Sequence, residues 1–241
     1  MYEENAISQS ILANSTAIYW IIFIAVAVLS WVISSMLNRK VKEYSKIPTS
    51  NGLSGKDVAE EFLRDQDIYD VSVVCVEGHL SDHYNPATKT VNLSKDVYYG
   101  TNVAAAAVAA HECGHAVQHN HQYAWLEMRS KLVPAVSFAS KWVMWVLLAG
   151  MFLVNAFPQL LLAGIILFAM TTLFSFITLP VEINASRRAL VWLEAHNVTS
   201  PASQPKAEHA LRLAAYTYVI AALSSLATLL YYIMIYLGRR D

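Results

Sequence analysis

Apolar positions along this chain fall into long unbroken runs. Ala17 to Leu37, Trp142 to Val181 and Leu213 to Leu237 contain no Asp, Glu, Lys or Arg. A bilayer crossing needs about 20 such residues, and each run is long enough. The middle run is about twice that length and carries Asn155, Pro158 and Gln159 near its centre, where a tight turn divides it into two helices. The pattern therefore predicts four transmembrane helices. Nothing basic precedes the first run, and Arg39, Lys40 and Lys42 follow it directly, so it reads as a retained signal anchor rather than a cleaved leader.

The stretches between the runs carry shorter periods. Ser54 is an N-cap for a short amphipathic helix through Leu63. Val71 to Val76 is rich in β-branched residues, and Asn85-Pro86-Ala87-Thr88-Lys89 is a turn leading into Thr90 to Leu93, which predicts a small antiparallel hairpin or sheet. Thr101 is the expected cap of an alanine-rich helix from Val103 to Val117. At roughly 22 Å that helix is too short for a bilayer core of about 30 Å, which places it in a soluble part of the chain. Thr199 to Pro205 reads as a surface loop.

Composition agrees with a membrane protein: of 241 residues, 56% are hydrophobic and 15% charged. The basic residues that flank the runs, at Arg39 to Lys46, Arg129 to Lys141, Arg187, Arg188, Lys206 and Arg212, all fall on one side of a four-helix topology. By the positive-inside rule that side is cytoplasmic, with the N-terminus and the Asn155 to Gln159 turn outside. Arg239 and Arg240 fall on the opposite side and are outvoted. A net charge of -1 argues against a nucleic-acid partner. The two cysteines, Cys75 and Cys113, are too few for a disulfide framework.

The alanine-rich helix carries His111-Glu112-Cys113-Gly114-His115. Histidines four apart on a helix project from one face and can share a zinc ion. Glu112, beside the first histidine, is placed to take a proton from a metal-activated water attacking a peptide carbonyl. Cys113 points off that face and reads as a small buried residue. A catalytic zinc needs a third protein ligand, and two residues compete for the place. His121 has the spacing of the extended His-Glu-x-x-His-x-x-Gly-x-x-His class, but Gln118 stands where that class has the glycine that turns the chain back. Glu182 lies at the cytoplasmic end of the third membrane helix; its ordinary alternative is an interfacial carboxylate paired with Arg187 or Arg188. His119, Asn184, Arg187, Tyr98 and Tyr99 are all chemically eligible to stabilise an oxyanion.

Ser81-Asp82-His83-Tyr84-Asn85-Pro86 with Val91 to Ser94, then Val108 to Gln118 around the histidines, then Leu179 to Glu182 through Arg188-Ala189-Leu190 together resemble the YugP-like family of bacterial membrane zinc metallopeptidases. The likeness runs through most of the chain. It implies a multi-pass protein of the Glu-zincin type, with zinc held by His111, His115 and Glu182 and with Glu112 as base. Related membrane Glu-zincins carry Glu-x-x-x-Asp on the helix of the third ligand, the aspartate orienting a zinc-binding histidine. Ser186 occupies that place here, able to hydrogen-bond but without the charge. The likeness also implies that the His83 to Leu93 segment offers an edge strand to an extended peptide.

The expected fold is mainly α, a multi-pass membrane protein with a small α+β cytosolic domain carrying the His-Glu-x-x-His helix. Its parts are an N-terminal tail and first transmembrane helix (1–38), a cytosolic zincin domain (39–131), a transmembrane hairpin (132–180), a cytosolic third-ligand helix and loop (181–210), and a fourth transmembrane helix with its tail (211–241). The expected partners are zinc, the lipid bilayer, a peptide or protein substrate drawn from membrane proteins, and a regulatory membrane partner. An intramembrane protease is disfavoured because the Trp142 to Val181 and Leu213 to Leu237 runs contain no carboxylate. A non-catalytic zinc-stabilised scaffold is the remaining alternative; it has no use for Glu112 as a base.

Overall fold

The computed structural model describes residues 2–78 and 81–238, with side chains from Trp20 onward. Arg239 and Arg240, assigned above to the far side of the last helix, lie outside the described residues. The element order is α1 (Tyr2–Tyr44), α2 (Gly55–Asp65), β1 (Ser72–Val76), β2 (His83–Asn85), β3 (Thr90–Ser94), α3 (Lys95–Tyr98), α4 (Val103–Asn120), α5 (Ala124–Phe152), α6 (Pro158–Ala195) and α7 (Gln204–Leu237). Among the described residues four helices are long and apolar enough to cross a membrane: Trp20–Tyr44 of α1, and α5, α6 and α7. The mainly helical class with four such helices and a small sheet is the one read from the apolar runs.

The chain divides into two compact units. The first comprises residues 1–32, 129–177 and 218–241. It is built from apolar helix, and its core gathers Leu147, Val154, Leu161 and Ile165. Helix α5 ends at Phe152 and α6 starts on Pro158, a residue suited to the first helical position because the N–H it lacks would have no intrahelical acceptor there. Gly150 lets α6 come close: a Cβ there would lie 2.6 Å from the Leu161 Cα.

The second unit comprises residues 33–128 and 178–217. Ser54 caps α2 through a capping box, its hydroxyl accepting from the Asp57 N–H while the Asp57 carboxylate accepts from the Ser54 N–H. The sheet has the order β1-β3-β2. β2 and β3 form the expected antiparallel hairpin, with Asn85 Oδ1 accepting from the Ala87 N–H in the turn. β1, however, pairs with β3 in parallel, so the sheet is mixed rather than antiparallel. The reason is burial. Val91 and Leu93 of β3 are fully buried, whereas β1 has only exposed and half-buried positions, so the most deeply buried strand takes the centre. Each such side chain contributes about 1.5–3 kcal/mol. β2 is left as an edge.

Helix α4 differs from expectation at both ends. Its cap is Asn102, whose Oδ1 accepts from the Ala105 N–H; Thr101 is instead held through its backbone, its carbonyl accepting from the Thr49 N–H. The helix then runs past Val117 to Asn120. Its alanines allow it to pack among α2, the sheet and the end of α6, where Val58, Phe62, Leu93, Ala106, Ala110, Val117 and Trp192 share one core. Trp192 of α6 stacks on Phe62 of α2 with ring centroids 4.9 Å apart and donates to Asp65 Oδ2 at 2.9 Å, fixing that part of α6 beside the motif helix. Helix α6 is continuous through Pro180 and Glu182, across the 180/181 boundary expected above, and α7 begins within the expected 199–205 loop.

Candidate metal centre

The His-Glu-x-x-His segment lies in the most buried stretch of α4, with residues 112–118 all inside the fold. His111 and His115 rings meet edge to face with centroids 4.8 Å apart. From α6, Glu182 Oε2 approaches His111 Nε2 at 3.3 Å and His115 Nε2 at 3.7 Å. The three donor atoms lie within 4.8 Å of one another. A tetrahedral zinc with ligands at about 2.0–2.2 Å spaces its donors about 3.3–3.6 Å apart; the two Glu182–histidine separations lie close to that spacing, and two imidazoles with a carboxylate are a donor set that suits the ion. Among the described residues this is the group that gathers three such donors. His121 is not part of it: the helix continues to Asn120 and His121 forms its exposed C-cap.

A close approach of α4 and α6 makes this convergence possible. A Cβ on Gly114 would lie 2.7 Å from the Ala185 carbonyl oxygen. Glycine between the histidines thus lets the backbone of α6 lie against α4, bringing the short Glu182 side chain into range. The signal was present in the sequence as a glycine inside an alanine-rich helix, where it costs about 0.5–1 kcal/mol against alanine.

Both histidines are held from behind. His111 Nδ1 pairs with Ser186 Oγ at 3.1 Å. His115 Nδ1 pairs with Gln118 Oε1 at 3.1 Å. Nothing in the sequence singles out Gln118 for this contact. Burial opposes charge on His115, but hydrogen bonding to Glu182 and the charge of Glu112 outweigh it and raise its pKa above the ordinary histidine value. A carboxylate environment that favours a proton also favours a metal cation.

Glu112 is buried beside the group, and its Oε2 accepts from the Tyr84 backbone N–H of edge strand β2 at 3.0 Å. The Tyr84 hydroxyl in turn pairs with His119 Nδ1 at 2.9 Å, so His119 lies beside the edge strand. Asn184 Oδ1 accepts from Gln118 and from Arg188 Nε, and Asn184 and Arg187 line a cavity with Phe62, Val117 and Trp192. Tyr98 belongs to α3 and packs edge to face with the exposed Tyr99. Cys113 is fully buried with its Sγ toward the Ala59 carbonyl, and burial pushes its thiol pKa well up.

A relative from Bacillus subtilis (strain 168), described as "Putative membrane protease YugP", is 42% identical over 224 residues, covering 91% of this chain and 98% of its own. No solved structure matches the chain. Residues 19–237 match the family described as "Putative neutral zinc metallopeptidase", and the chain belongs to that family.

Proposed function

We propose that this protein is a membrane-embedded zinc metalloendopeptidase that cleaves peptide bonds at the cytoplasmic face, with zinc held by His111, His115 and Glu182. The observation that carries this reading is the convergence of those three donors with the Glu112 carboxylate buried beside them. Three protein ligands leave one coordination position open, the mark of a catalytic rather than a structural site. That supports the peptidase over a zinc-stabilised scaffold, which closes its coordination with a fourth residue.

When bound, zinc supplies a Lewis acid that polarises the scissile carbonyl and makes water a nucleophile at neutral pH. Glu112 takes the proton released as water attacks and passes it to the leaving amine. Its contact with the Tyr84 N–H keeps the carboxylate oriented and sets it against the edge of β2. An extended substrate adding to that edge gains backbone hydrogen bonds and runs past the reacting centre. His119, paired with Tyr84, is the candidate donor nearest this edge. Membrane location favours membrane proteins or their cytosolic tails as substrates, with a regulatory membrane partner to restrain the enzyme.

Purified protein in detergent, incubated with an unfolded membrane protein, should cleave it, stop after chelator treatment, and recover on adding zinc. Cleavage that survives complete removal of metal would rule the mechanism out. For orientation, labelling from outside should reach an engineered cysteine in the 155–159 turn and miss one near Asn51; the reverse pattern would invert the topology.

A further inference from the structure

Gln118 is fully buried, an unusual place for a primary amide, and each hydrogen bond of its side chain is long-range or to a metal-ligand candidate. Its Nε2 donates to the Val181 carbonyl at 2.8 Å and to Asn184 Oδ1 at 3.0 Å. A backbone carbonyl only accepts, so the amide has one possible orientation. Oε1 must then face His115 Nδ1, 3.1 Å away. An oxygen there requires the proton on Nδ1, which leaves Nε2 as the lone-pair nitrogen on the side of Glu182. A carbonyl on another helix thus fixes the tautomer of His115.

The same amide also joins two ligand positions. Val181 directly precedes Glu182, so Gln118 ties His115 of α4 to the turn of α6 that carries the carboxylate. Asn184 is oriented in its turn by Arg188, whose Nε donates to Asn184 Oδ1 at 2.8 Å. Among the described residues no comparable device acts on His111. Ser186 can either donate or accept, and it dictates neither tautomer.

We propose that Gln118 is a positioning residue of the metal centre, an amide clamp that sets the tautomer and ring orientation of His115 and its spacing from Glu182, with Asn184 and Arg188 as its anchor. The proposal rests on the metallopeptidase reading of the site. Partners that hold a metal-binding histidine from behind are worth about 10–100-fold in metal affinity. Gln118→Met, of similar length but without polar atoms, should weaken zinc binding by about that factor. Asn184→Ala, which keeps the bond to Val181, should cause a smaller loss in the same direction. Ser186→Ala should cost less than Gln118→Met.

The test is zinc affinity by competition with a chelator of known strength, the visible spectrum of the cobalt-substituted protein, and thermal melting of the metal-free form. The clamp predicts altered cobalt bands and weakened zinc in Gln118→Met and, more mildly, in Asn184→Ala, beyond any change in metal-free melting. Wild-type affinity and spectrum in both variants would overturn it. If Gln118→Met does not fold, Asn184→Ala decides alone by the same two readouts. Wild-type protein that binds no zinc would sink the metallopeptidase reading itself, an outcome distinct from failure of the clamp.

Discussion

The two units handle buried polarity in opposite ways. In the apolar unit, hydroxyls turn back onto their own helix: Thr171 and Thr172 donate to the Phe168 carbonyl, and Ser175 to that of Thr171. Large apolar side chains face outward, Phe152 being 86% and Trp145 68% exposed. This is what a bilayer demands, because lipid offers no hydrogen-bond partner and the backbone and hydroxyls must be satisfied within the segment. In the other unit, the buried polar groups around the two histidines reach across elements. Gln118 bonds residues far along the chain on α6, Ser186 reaches His111, and the Tyr84 N–H reaches Glu112. Local bonding needs no precise neighbour and specifies no site. Long-range bonding costs order and is worth retaining where geometry has a chemical use.

The contrast can be broken most sharply at Glu182. Glu182→Ala should strip the protein of zinc on dialysis, measured by metal analysis, whereas Thr172→Val should leave zinc content unchanged. Full zinc in Glu182→Ala would remove that residue from the ligand set and leave the cross-element network without its purpose.

Next in size is a pair of glycines. Gly114→Ala would place a methyl against an immovable backbone oxygen 2.7 Å away. Overpacking of that kind costs about 1–3 kcal/mol, more than the about 0.5–1 kcal/mol gained by replacing a helical glycine. The variant should melt lower and hold zinc less tightly. Gly150→Ala, which crowds the Leu161 backbone, should also lower the melting temperature but leave zinc affinity unaltered. Equal effects of both on zinc would erase the distinction between the units.

Much of this architecture is legible in the sequence. The uncharged runs mark the long helices because apolar length is a local property, and Ser54 with Asp57 marks a helix start because a capping box closes within four residues. His111, Glu112 and His115 were readable as a unit because helical spacing alone puts the histidines on one face. Glu182 was harder: nothing in its spacing separates a ligand from an interfacial carboxylate, and only the packing of α6 on α4 brings it to the histidines. Gln118, Gly114 and the Tyr84 N–H escaped for the same reason, since their partners are distant in sequence. The parallel pairing of β1 with β3 escaped because it depends on which strand the core buries most.

A smaller effect tests the capping box. Ser54→Ala should cost about 1 kcal/mol at neutral pH. The Ser54 hydrogen bonds hold the Asp57 pKa below its ordinary value, so their stabilisation is present above the unfolded-state pKa and is lost as pH falls through the folded one. Melting of the two proteins should therefore converge in acid; a gap that widens in acid would contradict this. Smallest of all is a difference in thiol reactivity. Maleimide should modify half-buried Cys75 in the native protein and reach the fully buried Cys113 only after denaturation. Native modification of both would mean that α4 is less tightly enclosed than its packing indicates.

The central claim is that Glu112 serves the reaction and not the metal. Wild type and Glu112→Gln, purified side by side, should hold the same amount of zinc while only wild type cleaves an unfolded membrane protein. Zinc retention with undiminished cleavage in Glu112→Gln would contradict the account.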